Sequence, residues 1–419
     1  MAGTARTAGT PTVVIVGAGF GGLEAAKALG RAPVHLVLID RNNYHLFQPL
    51  LYQVAMAGLE PSSIARPVRR ILRGQKNFEF RMAEMTGVDR AARVVHTSAG
   101  DVVYDYLILA TGGRTNYFGI DSLARNALGL KGLSDAVNIR NHVLSCIEQA
   151  VLEPDLERRR MLLTFLVVGG GPTGVEMAGA LAELIRLVLS RDTQALNIQD
   201  TRILLLEAGQ RLLPGMRARF SQPTADMLWK KHVEVRFGTA VEGFDGERAR
   251  IAGGEVIPTR TLIWAAGVEA VALAPMVGVK PLRQGRVAVD TALRLPGDER
   301  AFVIGDSAHL EIEGQVLPML APVAIQMARS VVANIRRQIA GEEPRPFQYR
   351  DPGVLATIGR NAAVADIRGL AFTGFPAWVV WLVVHIIQLI GFRNKLFVLL
   401  DWAWDYFFYD RSARLITRD

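Results

Sequence analysis

The sequence predicts an α/β protein built from two Rossmann-like dinucleotide-binding folds in tandem, with a short C-terminal helical region against a membrane. Three observations carry this: a repeated glycine turn, an apolar strand following each copy at the same interval, and a charge-free aromatic stretch near the C-terminus. At 419 residues the chain exceeds one ordinary core, so two or three domains are expected.

The repeat is plain when "TVVIVGAGFGGLEAAKAL" (12–29) is set against "TFLVVGGGPTGVEMAGAL" (164–181). Each copy follows a β-branched apolar run and opens an alanine-rich helix, the context that makes a GxGxxG pattern credible. Gly17 and Gly169 suit the tight turn, Gly19 and Gly171 let a pyrophosphate approach the backbone, and Gly22 and Gly174 let helix pack on strand. The diphosphate then meets the positive end of the helix dipole. The competing explanation, glycines that serve turns alone, leaves the repeated context unexplained.

Such a site also needs an acid at the end of its second strand to hold ribose hydroxyls. In the first copy "VHLVLID" ends at Asp40; in the second "TRILLLEAG" supplies Glu207, after a longer helix and the polar loop "SRDTQALNIQD". An acid at Glu207 repels a 2′-phosphate and favours NADH over NADPH, although Arg211 nearby softens that preference. Two further strands, "YLILATGG" (106–113) and "LIWAAG" (262–267), end in small-residue turns about 90 residues beyond their glycine motifs. A last one, "RAFVIGDSA" (300–308), runs into Gly305-Asp306, where an acid suits a polyol such as the ribitol of a flavin.

Composition narrows the chemistry. A net charge of +8 suits anionic cofactors or lipid, but the basic residues are scattered and no nucleic-acid motif accompanies them. The one cysteine, Cys146, excludes a disulfide framework, an iron–sulfur cluster and a dithiol redox pair, and no metal site is expected. The opening "MAGTARTAGTP" does not read as a signal peptide.

The order GxGxxG, ATG, GxGxxG, ATG-like, GD resembles the two-dinucleotide-binding-domain flavoproteins over roughly residues 12–310. The resemblance implies FAD on Gly17, Gly19, Phe20, Gly21, Gly22, Asp40, Arg41, Gly305, Asp306 and Ala321, and NADH on Gly169, Gly171, Gly174 and Glu207. It implies a discontinuous FAD domain (1–159 and 296–370), an inserted NADH domain (160–295) and membrane-anchoring helices (371–419). Within that group, "DRNNYHLFQPLLYQVA" (40–55) and the C-terminal "LIGFRNKLFVLLDWAWDYFFYDRSARLI" look like type II NADH dehydrogenases, single-subunit NADH:quinone oxidoreductases. "LAPVAIQMA" (320–328) resembles their AQxAxQ quinone motif, with Ala321, Ala324 and Gln326 matching. Pro322 replaces the family glutamine and can donate nothing, so Gln326 becomes the candidate quinone contact. Glu176, in the first turn of its helix, matches the family acid between nicotinamide and flavin; Glu24 has the same spacing, so a plain preference for a helix N-terminus competes with that role.

Residues 371–392 carry no formal charge, but Gly374 and Pro376 read as a helix start and Gly391 as a stop. The helix left, about fourteen residues, falls short of the ~30 Å hydrocarbon core. Two short helices lying in the interface are expected, with Trp378, Trp381, Trp402, Trp404, Tyr406 and Tyr409 at the headgroup level. Arg393, Lys395, Arg411 and Arg414 would meet anionic phosphates. Residues 115–160 read as loop and helix bridging the domains. The expected function is hydride transfer from NADH to FAD and then two electrons to ubiquinone or menaquinone, without proton pumping. The expected location is the cytoplasmic face of the cell membrane, with a homodimer among the options. A soluble reductase of a small electron-carrier protein and a redox-sensing flavoprotein are the alternatives.

Overall fold

The computed structural model describes residues 9–189, 200–408 and 414–417. Part of the "SRDTQALNIQD" loop, Tyr409 and Arg411 lie outside the described residues. The chain forms two compact units, one of residues 1–46, 66–114 and 268–351, the other of residues 47–65, 115–267 and 352–419.

The first unit is organised by a five-stranded parallel sheet in the order Ala301–Val303, Tyr106–Leu109, Thr12–Val16, His35–Asp40, Phe78–Met82. Its central strand, TVVIV, is buried along its whole length, as a parallel strand covered on both faces must be. Helix α1, Phe20–Leu29, packs alongside a later helix that begins at Ala321.

The second unit repeats the plan with Leu128–Gly129, Thr261–Trp264, Thr164–Val168, Arg202–Leu206 and Val233–Arg236, again all parallel. The register pairs Val167 with Leu205 and Ile263, so the strand ahead of the glycine turn lies between the acid-bearing strand and the small-residue strand, as in the first unit. Its core joins Leu166, Leu204, Leu206, Leu262 and Trp264 to Phe244 and Ile257 from an antiparallel three-stranded sheet.

The second unit also contains what the sequence left as connection. Helix α2, Leu133–Leu152, is 20 residues long and buries Ala136, Ile139, Val143 and Ile147 at helical spacing. Helix α3, Pro172–Glu183, follows the second turn, and helix α4, Ala321–Ile339, belongs to the first unit. Residues 47–65 and 352–370 belong to the second unit. Helices α5, Phe375–Gln388, and α6, Phe392–Phe408, complete that unit. Among the described residues no helix is long and apolar enough to cross a membrane.

Candidate active site

The first glycine turn is fixed by contacts that leave no room for a side chain at Gly17 or Gly22. Gly17 has φ +102°, and a Cβ on Gly22 would lie 1.7 Å from the Gly17 carbonyl oxygen. A Cβ on Gly19 would meet nothing within 4 Å, so open space stands at the start of α1, whose N-cap has no side-chain acceptor. Asp40 accepts the Ala18 amide at 2.6 Å and the Asn42 amide at 2.7 Å. Burial raises its pKa against those two hydrogen bonds. His45 closes the turn from the other side: its Nδ1 bonds the Ala18 carbonyl at 2.9 Å and its ring stands edge-on to Phe20. Burial pushes His45 down to about 4, so the ring is neutral at physiological pH. Sequence reasoning passed over His45. Arg41 is exposed.

The second turn reproduces this geometry within its own unit. Gly169 has φ +108°, a Cβ on Gly174 would lie 1.8 Å from the Gly169 oxygen, and a Cβ on Gly171 would meet open space. Glu207 accepts the Gly170 amide at 2.5 Å and the Gly209 amide at 2.6 Å. Arg211 is committed elsewhere, donating to the carbonyls of Pro214 and Met216. Both turns therefore fit a dinucleotide: a bare helix start, open space for a diphosphate, and an acid locked onto the turn with lone pairs to spare for ribose.

The GD segment meets the first small-residue turn inside the first unit. Gly305 has φ +68°, and Asp306 sits over Gly113, where an added Cβ would come 2.8 Å from Asp306 Oδ2. Ser307 and Thr111 hydroxyls bond at 2.8 Å. A Cβ on Gly21 or Gly305 would press on Ala324 of α4, so both glycines admit that helix at close range. Ala321 is the first residue of α4. Gln326 is occupied at both ends of its amide: Nε2 donates to the Arg350 carbonyl at 2.9 Å and Oε1 accepts the Arg350 amide at 3.0 Å.

Glu176 of the second unit is a strongly perturbed carboxyl. The packed interior around it pushes its pKa up to about 8, opposed by the Thr357 amide, 3.4 Å from Oε1, and by the Trp381 indole. Glu176 as a whole is half-buried, its carboxyl facing the packed interior. Glu176 is protonated at neutral pH and can donate or release a proton.

Beside it lies a cavity of about 520 Å³ within the second unit, walled mainly by Tyr52, Ala180, Thr357, Trp381, Ile386 and Trp402. At its polar margin Glu183 pairs with Lys231 at 2.7 Å and accepts the Arg360 amide at 2.5 Å, while the Arg360 guanidinium lies over Tyr406. The expectation of tryptophans at the headgroup level is corrected here. Trp381 is 1% exposed and Trp378 and Trp402 are half-buried, because they wall the cavity; Trp404 alone of the four is exposed. Cys146 is buried against His142 and Thr261, and burial raises its thiol pKa, so it is inert. No cluster of metal-ligating side chains occurs among the described residues.

Two dinucleotide turns sharing one sheet plan, an acid on each, and one unpaired cysteine define a nicotinamide-linked flavoprotein reductase without a disulfide. Residues 11–328 match the profile of the pyridine nucleotide-disulphide oxidoreductases, and residues 352–411 match the NDH2 C-terminal domain. The chain is 42% identical to the type II NADH:quinone oxidoreductase Ndh of Mycobacterium tuberculosis, covering 97% of this chain and 90% of that one. It is 38% identical to NdhA of the same organism over 98% of this chain and 90% of the relative. The fold matches NDH2 of Plasmodium falciparum, solved with NADH, at a TM-score of 0.89 and 21% identity, over 98% of this chain and all of the other. The chain belongs to the type II NADH:quinone oxidoreductase family, a branch of the pyridine nucleotide-disulphide oxidoreductases.

Proposed function

We propose that this protein oxidises NADH and reduces a membrane quinone by way of FAD. The observation that carries the reading is the doubled dinucleotide turn, each copy with its own acid, joined to a tail that matches the NDH2 C-terminal domain. In this reading Gly17, Gly19, Phe20, Gly21, Gly22, Asp40, Arg41, Gly305, Asp306 and Ala321 hold FAD in the first unit. Gly169, Gly171, Gly174 and Glu207 hold NADH in the second. FAD, when bound, supplies a ring that takes a hydride equivalent from NADH and returns two electrons to the quinone.

The chain's own residues bind, orient and move protons. Asp40 and Glu207 take ribose hydroxyls while anchored to their turn amides. Glu176, protonated at neutral pH, is the proton donor on the path to the reduced quinone. Gln326 acts as a brace for Arg350 in this reading, not as a quinone contact. NADH oxidation by the purified, FAD-loaded protein tests the proposal: a ubiquinone or menaquinone analogue should stimulate it strongly, and no stimulation would sink it. Reduction of a small electron-carrier protein in its place would favour the soluble-reductase alternative.

The membrane is the proposed source of quinone. Val379, Val383 and Ile387 form an exposed stripe on α5 at four-residue spacing, and Leu396, Leu400, Trp404 and Phe408 form another on α6. Trp381 and His385 occupy the opposite, buried face of α5. Arg393 is exposed, while Lys395 caps the Ile387 carbonyl at 2.8 Å. The stripes suit a peripheral position on a membrane surface, and the cytoplasmic face is the proposed side. Cosedimentation with vesicles tests this; a dimer in detergent-free solution that ignores vesicles would assign the stripes to a second copy instead.

A further inference from the structure

We propose that Phe118 contacts the nicotinamide half of NADH, its ring standing where the dinucleotide crosses the end of the Thr261–Trp264 strand. This rests on the reading of the second glycine turn as the NADH site and names a contact within it. The register fixes which half of the dinucleotide lies there. Thr164–Val168 leads into the glycine turn and lies between two strands: Arg202–Leu206, followed by Glu207, and Thr261–Trp264, followed by the small residues 265–267. With Glu207 on the adenosine ribose and the diphosphate on the glycine turn, the nicotinamide half falls on the other side, over residues 265–267. Ala266 is exposed there, and a Cβ on Gly169 would lie 2.7 Å from Ala266 Cα, so the two turns adjoin.

Phe118 stands against this second turn in a strained conformation. Its φ of +54° is an outlier for a bulky side chain, and such strain persists only where the surroundings impose it. Here three hydrogen bonds impose it. The Asn116 amide donates to the Gly267 carbonyl at 3.1 Å, the Trp264 indole donates to the Asn116 carbonyl at 2.8 Å, and the Phe118 amide donates to Asn116 Oδ1 at 2.7 Å. Two consecutive aromatic residues then part company. Tyr117 packs on the buried core beside Trp264, whereas Phe118 is 60% exposed and meets Trp264 edge-on at 6.2 Å. A Cβ on Gly267 would come 2.8 Å from Phe118 Cζ, so only a glycine lets the ring rest on the turn. An apolar ring held out of the core by a pinned, strained backbone, beside the path of the dinucleotide, offers a flat heteroaromatic ring an aromatic partner.

Phe118→Asn removes the ring and keeps a residue that tolerates positive φ, and Phe118→Tyr keeps the ring. NADH is titrated anaerobically into the dithionite-reduced holoenzyme, which cannot take its hydride; ADP-ribose, which lacks nicotinamide, is titrated into the same protein. Phe118→Asn should weaken NADH binding about three- to tenfold, the range of one lost aromatic contact, and leave ADP-ribose affinity, flavin content and melting temperature unchanged. Phe118→Tyr should bind both nucleotides as the parent does. Should Phe118→Asn lose flavin or melt early, Phe118→Gly, which adopts positive φ without steric cost, decides the same comparison. Unaltered NADH affinity in the ringless variant overturns the proposal, as does an equal weakening of ADP-ribose, which marks a merely structural role for the loop. A parent that binds neither nucleotide overturns the NADH reading and the proposal together.

Discussion

The two glycine turns are near copies in sequence and opposites in electrostatics. Each ends in a glutamate two residues past its third glycine, Glu24 on α1 and Glu176 on α3. Glu24 meets a cation: Arg329 of α4 donates to it at 2.6 Å. Glu176 meets a backbone amide and an indole in a packed interior, and is pushed up to about 8. One local pattern thus yields a solvated ion pair in the first unit and a neutral, proton-bearing acid in the second. The element packed against the helix decides which, because ionisation depends on the dielectric and charges within a few ångströms.

The largest expected effect breaks either turn. Gly22→Ala and Gly174→Ala place a methyl within 2 Å of a fixed carbonyl and should cost several kcal/mol locally. Gly22→Ala should purify without flavin absorbance. Gly174→Ala should keep its flavin spectrum and lose its reduction by NADH.

Next comes the contrast between the glutamates. The Glu176 pKa is raised from 4.5 unfolded to about 8 folded, so the native state binds the extra proton between those values. The stabilisation this group gives is complete below about pH 4.5 and is lost as pH climbs through 8. Glu176→Gln cannot ionise and should abolish that decline, gaining on the order of a few kcal/mol over the parent at pH 8.5 relative to pH 5. Melting temperature against pH measures it, and quinone reduction by the parent should fall above pH 8 while the variant's pH profile flattens.

The strand-end acids separate the two cofactors. Asp40→Ala should lower FAD retention, whereas Glu207→Ala should raise the NADH Michaelis constant about tenfold and narrow the preference over NADPH. Flavin content and paired NADH and NADPH kinetics would distinguish them; equal losses of flavin in both variants would contradict separate sites. The smallest effect belongs to Glu24→Gln: Arg329 is 64% exposed, so losing the pair should cost less than about 1 kcal/mol in a denaturant titration.

Much of this was legible in the sequence because it is local. A positive-φ glycine, an acid ending a strand and a proline near a helix start act through the nearest few residues, and Gly17, Gly169, Asp40, Glu207 and Pro376 all stand as their patterns implied. The length of α5, Phe375–Gln388, likewise agrees with its Gly374 and Gly391 boundaries. Distant partners were not legible. Gln326 resembles a quinone contact by motif, yet Arg350 takes its amide; His45 lies in the quoted segment 40–55 without being singled out, yet it clamps the first turn. The tryptophans of the tail suggested a headgroup belt, and three of the four turn out to wall a cavity.

By itself the sequence determined the class of this protein: two dinucleotide turns, their acids, and an electron path that cannot use paired cysteines, since each follows from residues close together or from a simple count. Only the tertiary structure decided which glutamate keeps its proton and which tryptophans wall a cavity. Glu176 meets Thr357 across 181 positions and Glu24 meets Arg329 across 305, separations at which burial and charge are set by packing and leave no periodic trace in the chain.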